Sequence, residues 1–447
     1  MIAILGAGES GVGAALLAQA KGYDVFVSDF GGIAEKYRAQ LTQAGIPFEE
    51  GTHSLEQIYE AEEIIKSPGI PDKAPVIQGA LERNIPVISE IEFAGRCTKA
   101  KFICITGTNG KTTTTLLTYH LLKSAGLKVA LAGNVGESLA GKVLEDAHDY
   151  YVVELSSFQL DNMYQFKADI GILLNITPDH LDRYGNKMEN YAAAKFRLAQ
   201  NMAASDYFLF NQDDAEIQKY MTSNEVPGTQ VPFGLKASEG LAIQYDGSAI
   251  LASFSQIRAK VDTANSPLIG QHNQYNTMAA VGAALLVGIE PAQIEEALGT
   301  FRNAEHRLQP VGEIEGVQFI NDSKATNVEA VWYALDGMRQ PIVWVVGGTD
   351  KGNDYTPLLP LVREKVKAIV ALGVDNSKII ASFSQICPKL VETQDVNEAV
   401  KLAKDFAEAG DVVLLSPACA SFDLFKNYEH RGRSFAEAVA ALKGSDA

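Results

Sequence analysis

The segment Thr106-Gly107-Thr108-Asn109-Gly110-Lys111-Thr112-Thr113-Thr114 sets a lysine and a run of threonines directly behind two glycines. It follows the apolar run Phe102-Ile103-Cys104-Ile105 and precedes a helix-like stretch from Thr113 to Ser124. Strand, glycine loop and helix in that order are the architecture of a phosphate-binding loop; an ordinary strand-to-helix turn with a surface lysine is the alternative. The glycines let backbone N–H groups turn toward phosphate oxygens, and the helix N-terminus adds partial positive charge. In such a loop Lys111 reaches the outer phosphates of a nucleoside triphosphate and the Thr112 hydroxyl ligates Mg2+. Only Thr108 and Asn109 separate Gly107 from Gly110-Lys111, a shorter spacing than the common form.

Further polar groups fall where apolar runs end. Glu154 closes Tyr151-Val152-Val153 and opens Glu154-Leu155-Ser156-Ser157-Phe158-Gln159. A hard carboxylate there suits Mg2+, and it equally suits a helix N-cap. His180, in Asn175-Ile176-Thr177-Pro178-Asp179-His180-Leu181-Asp182, can orient or ligate a second ion, or bond to its own loop. Lys195 lies in Tyr191-Ala192-Ala193-Ala194-Lys195-Phe196-Arg197 and on these residues alone reads as a solvated helix lysine. In Asn321-Asp322-Ser323-Lys324-Ala325-Thr326-Asn327, Asp322 suits a ribose and Lys324 a phosphate, while Asp and Ser also fit a capped helix start. Gly347-Gly348-Thr349-Asp350-Lys351-Gly352 fits an anion site or a plain loop. Ser421, read at a helix start, presents a hydroxyl and backbone N–H to a carboxylate, whereas Cys419 lacks a histidine neighbour and reads as a buried structural thiol.

Strands and helices alternate throughout, which predicts an α/β fold with largely parallel sheets. The first block opens with Ile2-Ala3-Ile4-Leu5, then Gly6-Ala7-Gly8-Glu9-Ser10-Gly11, a small-residue helix to Lys21, and a strand Val25-Phe26-Val27-Ser28 ending at Asp29. That is G-x-G-x-x-G with a following acid, a Rossmann-like layout. Glu63-Ile64-Ile65-Lys66 leads into the sharp loop Ser67-Pro68-Gly69-Ile70-Pro71. The second block carries the phosphate loop, strands ending at Glu154 and Asn175, and a helix from Asn273 to Val287. The third shows strands at Val317–Ile320, Ile342–Val346, Ala368–Leu372 and Val412–Leu415. The reading is therefore three domains: a Rossmann-like N-terminal domain (1–92), a central P-loop ATPase-type α/β domain (93–299) and a C-terminal Rossmann-like α/β domain (300–447).

The chain of 447 residues is 47% hydrophobic, ample for full cores, and its net charge of −17 argues against a general nucleic-acid binder. Cys97, Cys104, Cys387 and Cys419 lack zinc-ligand spacing and fit a reducing cytoplasm. The start Met1-Ile2-Ala3-Ile4 reads as a strand rather than a leader, and the apolar stretch from Ala279 to Ile289 is too short to span a bilayer.

Thr106 to Thr114, Glu154 to Leu160, Asn175 to Asp182, His272 to Asn276, Glu305-His306-Arg307, Asn321 to Asn327 and Ser416 to Gly432 together resemble the Mur ligases, ATP-dependent enzymes that build the cytoplasmic peptidoglycan precursor. The resemblance covers all three blocks, and the short loop spacing matches that family. The ending Ser416-Pro417-Ala418-Cys419-Ala420-Ser421-Phe422-Asp423 looks like the member that adds D-glutamate to UDP-N-acetylmuramoyl-L-alanine; a sister ligase and a folylpolyglutamate synthetase are the nearest alternatives. It implies that Gly107 to Thr113, Asn273, Asn276, Arg307 and Asp322 serve ATP. Thr112, Glu154, His180 and Lys195 would hold two Mg2+ ions, with Lys195 carbamylated by CO2. Gly6, Gly8, Glu9, Ser10, Gly11, Asp29 and Gly69 would hold the UDP moiety, and Asn134, Ser156 and Gln159 would lie on the substrate side. Lys324, Thr326, Lys351, Ser421 and Tyr428 align near the incoming D-glutamate. Lys111, Glu154, His180 and Lys195 would carry the catalysis, through an acyl phosphate. A cytoplasmic monomer without membrane insertion is expected.

Overall fold

The computed structural model describes residues 1–236, 240–268 and 270–445, and it divides into two compact units, residues 1–267 with 274–301, and residues 268–273 with 302–447. In the first unit, β1 (Ile2–Leu5), β2 (Val25–Asp29), β3 (Phe48–Glu50), β4 (Glu63–Lys66) and β5 (Val87–Ser89) form a sheet in the order β3-β2-β1-β4-β5. Every pairing in it is parallel. Apart from the edge strand β3, the strands are short apolar runs buried on both faces, as a helix-covered parallel sheet requires. Gly11 is fixed by close approach: a Cβ there would sit 1.8 Å from the Gly6 carbonyl oxygen, so the helix Glu9–Ala20 can start only with glycine at that point.

The same unit contains a second sheet built from β6 (Lys101–Thr106), β7 (Val129–Gly133), β8 (Tyr150–Glu154), β9 (Ile170–Leu173), β10 (Tyr207–Asn211), β11 (Thr229–Gly234), β12 (Ile243–Tyr245), β13 (Ala249–Phe254) and β14 (Ile257–Asp262). Its order is β14-β13-β12-β11-β10-β9-β6-β8-β7. It is parallel from β7 to β12, and β12-β13-β14 continue as an antiparallel meander. One apolar core runs from Ile4 and Leu17 of the first sheet's layer through Val143 to Tyr151 and Leu173, so the first two blocks share a continuous interior.

The second unit has β15 (Gln309–Ile314), β16 (Val317–Asn321), β17 (Ile342–Val346), β18 (Val366–Leu372), β19 (Leu390–Thr393) and β20 (Val412–Leu415) in the order β15-β16-β20-β17-β18-β19. All pairings are parallel except the β15–β16 hairpin. Trp344 and Phe383 fill one face and Phe319 and Phe435 the other. Among the described residues no helix is long and apolar enough to cross a membrane.

Candidate active site

The loop after β6 is held from within. Asn175, just past β9, accepts from the backbone N–H of Thr108 and Asn109 through Oδ1 (3.0 and 2.8 Å), and its Nδ2 donates to the Asn109 carbonyl. Thr108 Oγ1 accepts from the Thr177 N–H at 3.0 Å. Gly110 has φ +81°, and a Cβ there would lie 2.3 Å from Asn276 Oδ1, so the turn into the helix Lys111–Ser124 admits only glycine. Lys111 Nζ donates to the carbonyls of Gly107 and Thr108 at 2.8 and 2.6 Å. Thr112 and Thr113 follow on the first helical turn and are buried.

Lys195 departs from the solvated helix lysine that its sequence surroundings suggest. Its side chain is 1% exposed, in the helix Met188–Phe196, and Nζ donates to the same Gly107 carbonyl at 2.7 Å while lying 4.6 Å from the Tyr191 ring centre. Burial first, and the neighbouring Lys111 charge second, push its pKa well below the ordinary lysine value. A neutral amine is a nucleophile, which an ammonium is not.

Glu154, the last residue of β8, is 1% exposed. Asn134 ties to it twice: its Nδ2 donates to Oε1 at 2.8 Å and its backbone N–H to the Glu154 carbonyl at 2.9 Å. Oε2 is buried without a hydrogen-bond partner. Glu154 is not a helix cap, because Ser156 takes that role in a reciprocal capping box with Gln159. An unsatisfied buried carboxylate oxygen fits a hard cation. Among the described residues no three His, Cys, Asp or Glu side chains converge as a metal site. A cation beside Glu154 therefore needs donors beyond His, Cys, Asp and Glu side chains. His180 is half-exposed at φ +51°, with its ring edge against Phe158 (5.3 Å) and Nε2 3.5 Å from Asp179 Oδ2.

In the first sheet the acid after β2 is occupied with backbone. Asp29 accepts from Ala7 N–H at 2.6 Å and from Gly31 N–H at 2.7 Å, so it latches the glycine loop. Gly8 is the N-cap of the helix that Glu9 and Ser10 begin. Gly69 lies in the loop after β4 with open space where a Cβ would stand.

The second unit gathers its polar residues beyond β16, β17 and β20. Asp322 accepts from Ser416 Oγ at 2.9 Å and from the Leu308 N–H at 3.2 Å. Burial raises its pKa to about 7, opposed by those bonds and the Arg307 charge. Asp322 and Ser323 do not cap the helix Val328–Gly337; Asn327 does, through Oδ1 to Ala330 N–H. Lys324 Nζ sits 3.7 Å above the Tyr428 ring, and Thr326 follows half-buried. Backbone bonds between Thr349 and Ala420 bring the loops of Lys351 and Ser421 together. Lys351 is exposed and Ser421 buried. Ser421 is not at a helix start, since the next helix begins at Tyr428. Cys419 is buried 3.3 Å from the Tyr355 hydroxyl, the structural thiol expected. Asn273 and Asn276 are both buried in the helix Gln271–Leu286.

Sequence reasoning gave no role to two residues that shape these loops. Asn175 follows β9 and mimics a backbone turn for the phosphate loop. Arg431 is 1% exposed and stitches three strand-end loops: Nε and Nη2 donate to Ser323 Oγ and O (3.0 and 2.9 Å), and Nη1 lies within reach of the Gly347, Cys419 and Ala420 carbonyls. Burial lowers its pKa to about 10.

Family models for a Mur ligase MurD-like N-terminal domain, a Mur ligase middle domain and a Mur ligase glutamate ligase domain match residues 1–89, 105–284 and 306–419. The UDP-N-acetylmuramoylalanine–D-glutamate ligase of Cytophaga hutchinsonii is 53% identical over 99% of each chain. This chain belongs to the Mur ligase family. The enzyme of the same name from Bacteroides fragilis is 52% identical, again over 99% of both chains. Among solved structures, UDP-N-acetylmuramate-alanine ligase MurC of Thermotoga maritima shares the fold of this Mur ligase with TM-score 0.64 at 21% identity, covering 99% of each.

Proposed function

We propose that this Mur ligase joins D-glutamate to UDP-N-acetylmuramoyl-L-alanine at the expense of ATP. The full-length likeness to D-glutamate ligases at 53% identity carries the choice of substrates. The convergence of Lys111 and Lys195 on the Gly107 carbonyl, near threonines on a helix start, supports the chemistry. Residues 1–92 hold the nucleotide sugar, 93–299 the nucleoside triphosphate, and 300–447 the amino acid and parts of ATP. The protein acts as a cytoplasmic monomer.

A carboxylate is a poor electrophile at neutral pH, so the substrate carboxylate first takes the γ-phosphoryl group of ATP, giving an acyl phosphate and ADP. The D-glutamate amine then attacks the acyl carbon and inorganic phosphate leaves. Catalysis is mostly positioning and charge neutralisation. Lys111 turns from its own loop carbonyls to the outer phosphates. Glu154, Thr112, His180 and, once carbamylated, Lys195 would hold Mg2+, which would supply screening between triphosphate and carboxylate. Asn134 keeps Glu154 Oε1 occupied and leaves Oε2 for the cation. Asp322, Arg307, Asn273 and Asn276 hold the nucleotide, and Lys324, Thr326, Lys351, Ser421 and Tyr428 the amino acid. Gly6 to Gly11, Asp29 and Gly69 frame the UDP moiety, with Ser156 and Gln159 on the path to the reacting carboxylate.

The test is a coupled assay with ATP, Mg2+, UDP-N-acetylmuramoyl-L-alanine and single amino acids. Phosphate release and product formation are expected with D-glutamate. Turnover with a different amino acid in preference, or ATP hydrolysis indifferent to amino acid, would reject the assignment.

A further inference from the structure

A lysine outside this set lies at the topological switch of the first sheet. In β3-β2-β1-β4-β5 the chain runs outward from β1 on one side and returns through β4 to β5 on the other. Ligands of open parallel sheets sit outside the strand ends at that reversal. Two segments wall the crevice, the turn 6–8 that leads from β1 into the helix Glu9–Ala20 and the loop 67–74 after β4. Lys66 ends β4 in register with Leu5, and its side chain is 3% exposed. Its Nζ donates to the Ile70 carbonyl at 2.8 Å and lies 3.1 Å from Asp72 Oδ1, on a side chain that is 56% exposed. One ammonium thus grips the second loop at two points. Ser67 joins that loop to the first, donating its N–H to Leu5 O at 2.9 Å and its hydroxyl to Gly6 O at 3.4 Å.

Burying an ammonium is costly, and a half-exposed partner repays little of the cost, so stability alone would be served as well by an apolar side chain. The clamp also sits close to the central block. Asp161, which follows the Ser157–Leu160 turn beyond Glu154, responds electrostatically to both Asp72 and Lys66. We propose that Lys66 is a positioning residue of the nucleotide-sugar crevice, clamping Ile70 and Asp72 so that the 67–74 loop presents a fixed wall to the sugar nucleotide on its way to the phosphate loop. This rests on the first block being the nucleotide-sugar site.

The experiment compares full-length Lys66→Met, Asp72→Asn and the double variant with wild type in steady-state ligation, varying each substrate in turn. Lys66→Met raises KM for UDP-N-acetylmuramoyl-L-alanine about tenfold through lost preorganisation, with kcat and the KM for ATP and D-glutamate unchanged. Asp72→Asn raises the same KM by less, and the double variant matches Lys66→Met, because both changes cut one clamp. An unchanged KM, or a KM for ATP that rises in parallel, overturns the proposal. Should Lys66→Met not fold, Asp72→Asn decides, since it alters only a half-exposed carboxylate. A wild-type enzyme inactive on this substrate rejects the function assigned above; an active one with unaltered variants rejects only the clamp.

Discussion

Glu90→Gln should make the stability of this ligase less dependent on pH, and the size follows from its surroundings. Glu90 follows β5, is 4% exposed, and accepts from the Ala140 N–H at 2.5 Å at the start of the helix Leu139–Glu145. Burial, with a smaller push from Glu9, raises its pKa to about 7 from 4.5, against the pull of the Ala140 and Leu139 backbone bonds. A raised carboxylate means the folded state holds a proton that the unfolded state has released. Stability is therefore lost as pH climbs from the unfolded value through the folded one, and the loss is complete above about 7. At about 1.4 kcal/mol per unit, that shift amounts to about 3 kcal/mol. Between about pH 5 and about pH 8 most of it is expressed, about 2 to 3 kcal/mol. Glutamine keeps an oxygen for Ala140 N–H and never ionises, so the variant gains on wild type by that amount over this range. Paired urea titrations followed by far-UV circular dichroism measure it. A difference between variant and wild type that stays flat from acid to alkaline pH would refute the buried-charge account.

Lys111→Ala should lower ligation by about two to three orders of magnitude, the scale of removing one charge-stabilising donor, while leaving the melting temperature unchanged; phosphate release measures the first and calorimetry the second. Lys195→Ala should be inactive and partly restored by added short carboxylates if a carbamate is the working group, and rescue by short amines instead would point to the ammonium. Arg431→Lys should destabilise the second unit by about 3 kcal/mol, because a point charge cannot serve three loops that a planar fork holds. Trp344, whose Nε1 donates to Ser416 O at 2.7 Å, reports that loss in fluorescence-monitored unfolding.

The strands were readable because they are contiguous Val and Ile runs. Ile2–Leu5, Glu63–Lys66, Ile342–Val346 and Val412–Leu415 stand where the apolar runs place them. The turn into the helix Lys111–Ser124 was readable because an apolar run ends at glycines, one of which, Gly110, has φ +81°. The β12–β14 meander went unread, although Asp246-Gly247 between two β-rich runs is a hairpin signal, because the surrounding parallel pattern favoured crossovers. Lys195 was misjudged for a different reason. Met188, Tyr191 and Ala192 do form an inward stripe with Lys195 at its end, but a lysine closing so short a stripe reads by default as reaching solvent. Arg431 was equally silent, since its partners are backbone carbonyls of three distant loops, and no local pattern encodes them.

The residues that escaped local reading share a physical property. Lys66, Glu90, Lys195 and Arg431 are ionisable side chains buried at or against strand ends, each bonded chiefly to backbone of a different element. Such groups are costly to bury and are held only where several elements supply partners at once. Each therefore marks a place where loops from separate strands must keep one arrangement. Lys195 binds the helix of its own block to the phosphate loop, Arg431 ties Ser323 to the Gly347 and Ala420 turns, and Glu90 pins the helix that follows Asn134. Substrate positioning in a ligase depends on the relative placement of such loops more than on any single side chain. Replacing any of these four with an apolar residue should thus disturb loop geometry and substrate affinity more than the packing of the sheets beneath.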